Sequence, residues 1–192
     1  MHPIYHTKAV ILRSSPVGEA NKRYWLFTEE LGLVVAVAQG VRKGASKLAG
    51  QLADYNFIDV DLVKGRDVWR LVSATVSHNP LHGSLRSPLA RPYVRTLATV
   101  ERFVGGEGEQ HSELFDHLEI CADCMADEKV DSQMFDTLAI WRVLAHLGYI
   151  AVPSEQGELF SAPLSDTLKT LTPSTTKKMI KQVNDAITHT HL

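Results

Sequence analysis

The first 80 residues alternate between apolar and polar positions with a period of two, which is typical of strands that bury one face. The alternation is clearest at Ile58, Val60 and Leu62, which form an apolar face. Asp59 and Asp61 lie between them and share the opposite face. Runs of this kind, separated by turn residues, predict five strands. They cover residues 8–13, 23–28, 33–38, 57–63 and 68–76.

These strands follow one another as in an OB-fold, a small Greek-key barrel of five strands that binds oligonucleotides on its face and in its loops. Residues 46–54, between the third and fourth strands, leave room for only a short helix, with Leu48, Ala49 and Leu52 as its apolar positions. We therefore predict an α+β protein that begins with a five-stranded OB-fold barrel. We assign residues 1–80 to this barrel and expect them to bind single-stranded DNA.

Beyond Pro80 the apolar positions recur with a period near 3.6, which predicts helices. Ser112 and Ser132 are suitable N-caps for two of them, and Thr172 with Pro173 is a suitable start for the last. Residues 81–192 are therefore predicted to form an all-helical domain that binds partners. Its helices are expected within 85–104, from 112, from 132 to 147 and from 173, with an irregular stretch at 150–171.

Composition narrows the class of protein. Hydrophobic residues make up 44% of the 192 positions, enough to bury one large core or two small ones. No apolar run approaches the roughly 18–20 residues that span a bilayer, and the first residues lack the apolar region of a secretory signal. The two cysteines, Cys121 and Cys124, make no disulfide framework. We expect a cytoplasmic protein that does not enter the membrane.

The net charge of −2 hides an uneven distribution. Residues 1–80 hold ten Lys and Arg against seven Asp and Glu, a net charge of +3. Residues 81–192 hold ten against fifteen, a net charge of −5. A polyanion should therefore bind the first part, and a different kind of partner should bind the second.

The most informative segment follows the third strand. Residues 39–51 contain three cations and three glycines but no acidic residue. Glycines let the main chain approach a ligand closely, and Arg42, Lys43 and Lys47 can replace the counterions of a phosphate backbone. The alternative interpretation is a solvated surface loop, because most runs of charge have no other role.

An OB-fold holds single strands with a cationic groove and with aromatic side chains on which bases stack. Alternation must bury about half of the aromatic residues, and the sequence does not decide whether Trp25 and Trp69 point inward or outward. The available aromatic residues are Tyr24, Trp25, Phe27, Tyr55 and Trp69. The cations predicted to bind nucleic acid are Lys22, Arg23, Arg42, Lys43, Lys47, Arg66 and Arg70.

Five short motifs in the first half, in this order and spacing, resemble the amino-terminal half of the RecO family of bacterial recombination mediators. They lie at residues 7–13, 18–23, 26–32, 37–43 and 47–52. The resemblance continues more weakly at residues 139–149, which end in Leu147-Gly148-Tyr149, and at residues 183–192. It therefore spans most of the chain.

This resemblance implies a protein of DNA repair that binds single-stranded DNA and anneals complementary strands. It also implies help in loading the recombinase onto strands coated with single-strand-binding protein. The implied partners are RecR and the acidic carboxy-terminal tail of single-strand-binding protein. Arg102 and Arg142 are the cations predicted to bind a partner, although Arg142, within a helix, also suits a purely structural role. Other cations available to the tail are Arg95, Lys177, Lys178 and Lys181.

Metal and catalytic sites are not expected. Many family members carry a four-cysteine zinc module directly after the Leu-Gly-Tyr motif, whereas residues 150–171 contain no cysteine. His117, Cys121 and Cys124 use the ligand types of zinc. On a continuous helix, however, the first and last of these Cα atoms lie about 10 Å apart. We predict no metal and no cofactor.

The chain contains no Walker, dinucleotide-binding or nucleophile-elbow motif, so we predict that it is not an enzyme. The alternative function is a non-enzymatic adaptor whose OB-fold binds a protein or an RNA.

Overall fold

The structure is a computed structural model that describes residues 3–43, 46, 48–82, 87–127 and 129–190. Its contacts divide the chain into two compact units. The first unit contains residues 1–82 and 105–115, and the second contains residues 83–104 and 116–192. Residues 105–115, which we call the covering segment, thus belong to the first unit although they lie beyond residue 80.

Five strands of the first unit form a closed barrel in the spatial order β1-β2-β3-β5-β4. Neighbouring strands are antiparallel except β3 and β5, which are parallel. This order confirms the predicted five-stranded OB-fold barrel. The strands are β1 (Ile4–Val17), β2 (Asn21–Thr28), β3 (Gly32–Ala38), β4 (Phe57–Lys64) and β5 (Trp69–His78).

The short helix predicted between β3 and β4 is wrong for the part of this stretch that the structure describes. Ser46 and residues 48–54 form turns and irregular backbone, in which Gln51 N and Leu52 N donate to Leu48 O at 3.0 and 3.2 Å. One helical turn fixes many dihedral angles for few hydrogen bonds, so a stretch this short gains little as a helix. Leu48 and Leu52 still pack against the barrel core.

The barrel interior is filled by alternate residues of its strands. Tyr24 and Leu26 of β2 point inward and are almost fully buried. Trp69 also points inward: it is 4% exposed, and its ring meets that of Tyr5 edge-on at 5.0 Å between centroids. Trp25 alternates with Tyr24 and Leu26, so it lies on the outer surface, where it is half-buried. The two tryptophan orientations that the sequence left open are therefore opposite.

Part of the barrel's outer surface is also buried. Phe27 and Phe57 alternate with interior residues and so face outward, and Val10 pairs with both of them across β1. All three side chains are buried, and the covering segment packs on the two phenylalanine rings. The Phe115 ring lies 6.2 Å from that of Phe27 and 5.7 Å from that of Phe57, between centroids. Full burial of one such apolar side chain contributes about 1.5–3 kcal/mol.

Glu107 fastens the covering segment to the barrel. Its backbone forms an isolated β-bridge with Gly32. Its carboxylate accepts hydrogen bonds from Lys64 Nζ at 2.5 Å and from Trp69 Nε1 at 2.7 Å. These two bonds hold the pKa of Glu107 below its ordinary value, because they favour the ionised form. The indole N–H of the interior Trp69 thus donates to Glu107, which lies outside the barrel core.

Six α-helices follow the barrel among the described residues. Two of them, α4 and α5, lie in the stretch predicted to be irregular; with 5 and 7 residues they are too short to show a helical period. None of the described helices is both long and apolar enough to cross a membrane. The helices are α1 (Ala90–Phe103), α2 (Ser112–Asp123), α3 (Ser132–His146), α4 (Gly157–Ser161), α5 (Leu164–Thr170) and α6 (Pro173–His189).

The N-cap of α3 differs from the prediction, whereas that of α6 agrees with it. Asp131 caps α3 in place of Ser132, and its Oδ1 accepts from Met134 N at 2.8 Å. A carboxylate at this position is also favoured by the helix dipole. Thr172 caps α6, with Pro173 in the first turn.

α3 lies at the centre of the second unit. Its Phe135, Leu138 and Trp141 are fully buried, and the helix packs against α1 and α6. Trp141 Nε1 donates to Gln182 Oε1 of α6 at 2.9 Å, so its one polar atom is satisfied within the unit.

We predict that Gly32→Ala destabilises the protein while Gly106→Ala does not. Gly32 has a φ of +67°, and an added Cβ would lie 2.8 Å from Glu109 O of the covering segment. The left-handed conformation alone costs a non-glycine residue roughly 1–2 kcal/mol. The free energy of unfolding in urea should therefore fall by at least about 1 kcal/mol. Gly106, the matched control, has no heavy atom within 4 Å of an added Cβ. Equal stability of the two variants would contradict the proposed attachment of the covering segment.

Candidate nucleic-acid interface

Three of the predicted DNA-binding cations meet at one end of the barrel. Lys22, Arg42 and Lys43 line a cavity of about 420 Å³, which we call the barrel-end pocket. Its apolar floor includes Tyr24 and Leu52. Burial and the charge of a nearby carboxylate raise the pKa of Tyr24 to about 12, so the phenol is neutral at pH 7. The rim of the pocket is therefore cationic and the Tyr24 phenol adds no negative charge to it, although the Asp54 carboxylate lies near that phenol.

Hydrogen bonds between two loops bring these cations together. Gly40, with a φ of +68°, turns the chain at the end of β3, and its N donates to Asn21 Oδ1 at 2.9 Å. Arg42 N donates to Ala20 O at 2.9 Å, and Arg42 Nη1 donates to Gly18 O at 2.8 Å. The β1–β2 turn and the segment after β3 are thus held side by side, which orients the Arg42 guanidinium at the rim.

A second cationic surface lies on the outer side of β1, β2, β3 and β5. Arg13 Cζ lies 3.3 Å from the centroid of the Trp25 ring, and Arg23 Cζ lies 6.0 Å from it. Arg23 is paired with Val37 of β3, which is paired in turn with Arg70 of β5. We call the outward side chains of these five residues the strand face. In OB-folds the β2–β3 face and the β1–β2 and β4–β5 loops are the usual oligonucleotide contacts.

Sequence reasoning missed Arg13 because a β-bulge places it. Ile11 pairs with Leu26 and Arg13 pairs with Trp25, so Leu12 is the extra residue between them. Regular alternation from the inward Ile11 would have turned Arg13 toward the interior. The bulge instead places Arg13 on the outer surface, opposite Trp25. The only sequence signal was a charged residue four positions after the inward Ala9, where regular alternation places an apolar side chain, and this signal was weak.

The described contacts do not connect the remaining DNA-binding candidates to either of these two surfaces. Arg66 is exposed in the turn between β4 and β5. Lys47 lies outside the described residues. Among the aromatic candidates, Phe27 is buried beneath the covering segment and Trp69 fills the interior, so neither is available for base stacking.

Arg142, predicted to contact a partner, is committed within the second unit. It is 4% exposed; its Nε donates to Leu159 O at 2.9 Å, and its Nη2 donates to Ala162 O at 2.8 Å and Thr167 Oγ1 at 3.0 Å. Burial lowers its pKa. These bonds join α3 to α4 and α5, so the geometry favours the structural interpretation of Arg142. Arg102 is exposed, with its Cζ 5.1 Å from the ring of the neighbouring phenylalanine.

The second unit also contains a groove of about 310 Å³ between α1, α3 and α6, which we call the helical groove. Ile140, Ile180 and Val183 form its apolar wall. Arg95 lies at its edge and donates from Nη1 to Asp136 Oδ2 at 2.8 Å. Three exposed lysines of α6 lie beside Ile180: Lys177, Lys178 and Lys181.

Comparisons with known proteins identify the family. A family model described as Recombination protein O N terminal matches residues 1–80. The DNA repair protein RecO of Synechococcus elongatus is 30% identical over 154 residues, which are 78% of this chain and 56% of the relative. The chain belongs to the RecO family. The RecO protein of Nocardioides sp. is 31% identical over 149 residues, covering 76% of this chain and 60% of the relative. The RecO protein of Cutibacterium acnes is 38% identical over 66 residues, which are 34% of this chain and 27% of the relative.

These comparisons confirm the resemblance found in the sequence. The chain spans less than two thirds of the length of each of these RecO relatives. The relatives are named as DNA repair proteins.

Two of the three candidate zinc ligands of this RecO member are core residues, and the third, Cys124, is half-buried. His117 and Cys121 are both buried, with Cys121 Sγ 3.6 Å from His117 Nε2. Burial lowers the pKa of His117 to about 3 and raises that of the Cys121 thiol, so both groups are neutral at pH 7. Zinc requires the thiolate. In the described ranges, no three His, Cys, Asp or Glu side chains are grouped as a metal site.

We predict that the purified protein contains less than one tenth of a zinc ion per chain. A chelator should leave its melting temperature unchanged, unlike that of a domain that folds around its metal. Elemental analysis and thermal unfolding with and without EDTA test this, with Cys121→Ala as a packing control. One zinc per chain would contradict the prediction.

Proposed function

We propose that this chain is a non-enzymatic, cytoplasmic mediator of DNA repair and recombination that binds single-stranded DNA with its barrel. The observation that supports this most directly is the convergence of Lys22, Arg42 and Lys43 on the barrel-end pocket. Cations that come from separate segments to one rim suit a ligand with closely spaced negative charges, which a DNA strand provides.

In this proposal the barrel-end pocket binds phosphates, while strand annealing follows from holding single strands close together. Phosphate contacts fix the position of a strand without selecting its sequence. The protein would then assist loading of the recombinase onto strands coated with single-strand-binding protein. RecR is proposed as a further partner because the chain belongs to the RecO family.

We place the acidic tail of single-strand-binding protein in the helical groove. Its apolar wall suits the hydrophobic residues of such a tail, and Arg95 and the three lysines of α6 complement its acidic residues. Arg142 is too deeply buried to serve as this contact. We therefore assign binding of the acidic tail to the helical groove instead of to Arg142.

We predict that replacing Arg42 and Lys43 together by alanine weakens single-strand binding for all sequences. Each lost phosphate contact lowers the slope of log K against log salt concentration by about 0.7–0.9. The slope should therefore fall by about one to two units in a titration of labelled oligonucleotide at several salt concentrations. The double variant Lys129→Ala with Lys169→Ala removes the same charge from the second unit and should keep the slope. An unchanged slope in the first variant, with the fold intact, would exclude this rim from the site.

We predict that charge reversal at Lys177 and Lys181 abolishes annealing of coated strands but not of bare strands. The acidic tail loses two lysines that lie beside Ile180, next to the helical groove, whereas the barrel is unchanged. Deleting the tail from single-strand-binding protein should have the same effect on the wild-type protein. Loss of bare-strand annealing in the variant would contradict this assignment. If the wild-type protein binds no DNA at any salt concentration, the adaptor alternative is favoured instead.

A further inference from the structure

The Arg13 guanidinium stacks on the Trp25 ring. At 3.3 Å from the ring centroid, the Arg13 guanidinium must lie nearly flat on the indole. An edge-on guanidinium at this distance would push its nitrogen atoms into the ring carbons. Arg13 is exposed and Trp25 is half-buried, so the stack lies at the protein surface. It presents a flat, cationic, polarisable plate to the solvent.

The charges around this plate favour an anionic ligand. Arg23 lies two residues from Trp25 on β2, and Arg70 flanks Val37 from the other side. The outward positions of β1, β2 and β3 beside the stack carry no carboxylate. The outward acids of the barrel strands lie instead on β4, where Asp61 bonds to His6 and Ser73. A ligand with negative charge and flat rings fits the β1–β2–β3 side.

We infer that the Arg13–Trp25 stack is a base-stacking platform, on which one base of a single strand lies while Arg23 and Arg70 contact its phosphates. Bases stack on aromatic rings and on arginine planes in other single-strand complexes. The inference rests on the proposed function and adds base stacking to the phosphate contacts. It makes single-strand binding depend on the bases as well as on the backbone.

The test compares an oligothymidylate with an abasic oligonucleotide of the same length, which retains the phosphates but has no bases. Trp69 and Trp141 are buried, at 4% and 0% exposure, so changes in intrinsic fluorescence report mainly on Trp25. Oligothymidylate should quench this fluorescence, and the abasic strand should bind without quenching. Trp25→Ala should weaken oligothymidylate binding by between about 5-fold and 150-fold and leave abasic binding unchanged.

Two further variants distinguish the effect of the flat Arg13–Trp25 stack on binding from the effect of positive charge. Arg13→Lys keeps the charge but loses the plane, so it should weaken oligothymidylate binding alone. Arg70→Ala removes a phosphate contact and should weaken binding of both strands equally. The quenching experiment uses the wild-type protein, so it tests the inference even if Trp25→Ala folds poorly.

The outcomes are distinct. If both strands bind equally well and neither quenches Trp25, the stack is purely structural and the inference is overturned, while the proposed function stands. Binding of neither strand overturns both. Preference for oligothymidylate that survives in Trp25→Phe and is lost in Trp25→Ala supports an aromatic platform.

Discussion

The barrel has two apolar surfaces, and the need to cover the outer one governs the rest of the first unit. Val10, Phe27 and Phe57 cannot be buried by closing the barrel, because they point away from its interior. The covering segment places Phe115 on the rings of Phe27 and Phe57 and is fastened through Glu107. This divides the outer surface into a covered sector and an open sector. The cations of the strand face lie in the open sector, where a long ligand can reach them.

The open sector owes its chemistry to one irregularity in β1. A regular β1 would pair Leu12 with Trp25 and direct Arg13 into the core, where an unpaired guanidinium is very unfavourable. The bulge avoids this and makes the Arg13–Trp25 stack in the same step. Bulges often redirect side chains beside binding sites. The bulge and the stack are therefore best regarded as one feature.

The sequence predicted those elements whose signal is local. Period-two alternation located all five strands, and the proline at the start of α6 located its first turn. The position of the covering segment depends on contacts between Phe115 and distant strands, so no local pattern reveals it. Arg142 shows the same limit at a single residue. The sequence offered Arg142 as a partner contact, but α4 and α5 pack over it and accept hydrogen bonds from its guanidinium. Lys22, Arg42 and Lys43 line one pocket because the turns that join them follow their strands directly, whereas their role in binding DNA stays a prediction.

The two cationic surfaces contribute different kinds of interaction to the proposed activity. The phosphate contacts proposed at the barrel-end pocket are electrostatic, so they should weaken with salt and tolerate any sequence. The stacking proposed on the strand face uses the flat side of a base and adds an interaction that does not involve the phosphates. A protein that anneals strands must hold a base without covering its pairing edge. A plate of Arg13 on Trp25 meets this requirement, because a stacked base keeps its Watson–Crick edge free for the complementary strand. Recognition by hydrogen bonds to base edges would instead compete with annealing, and this explains why a flat platform suits a mediator better than a sequence-reading site.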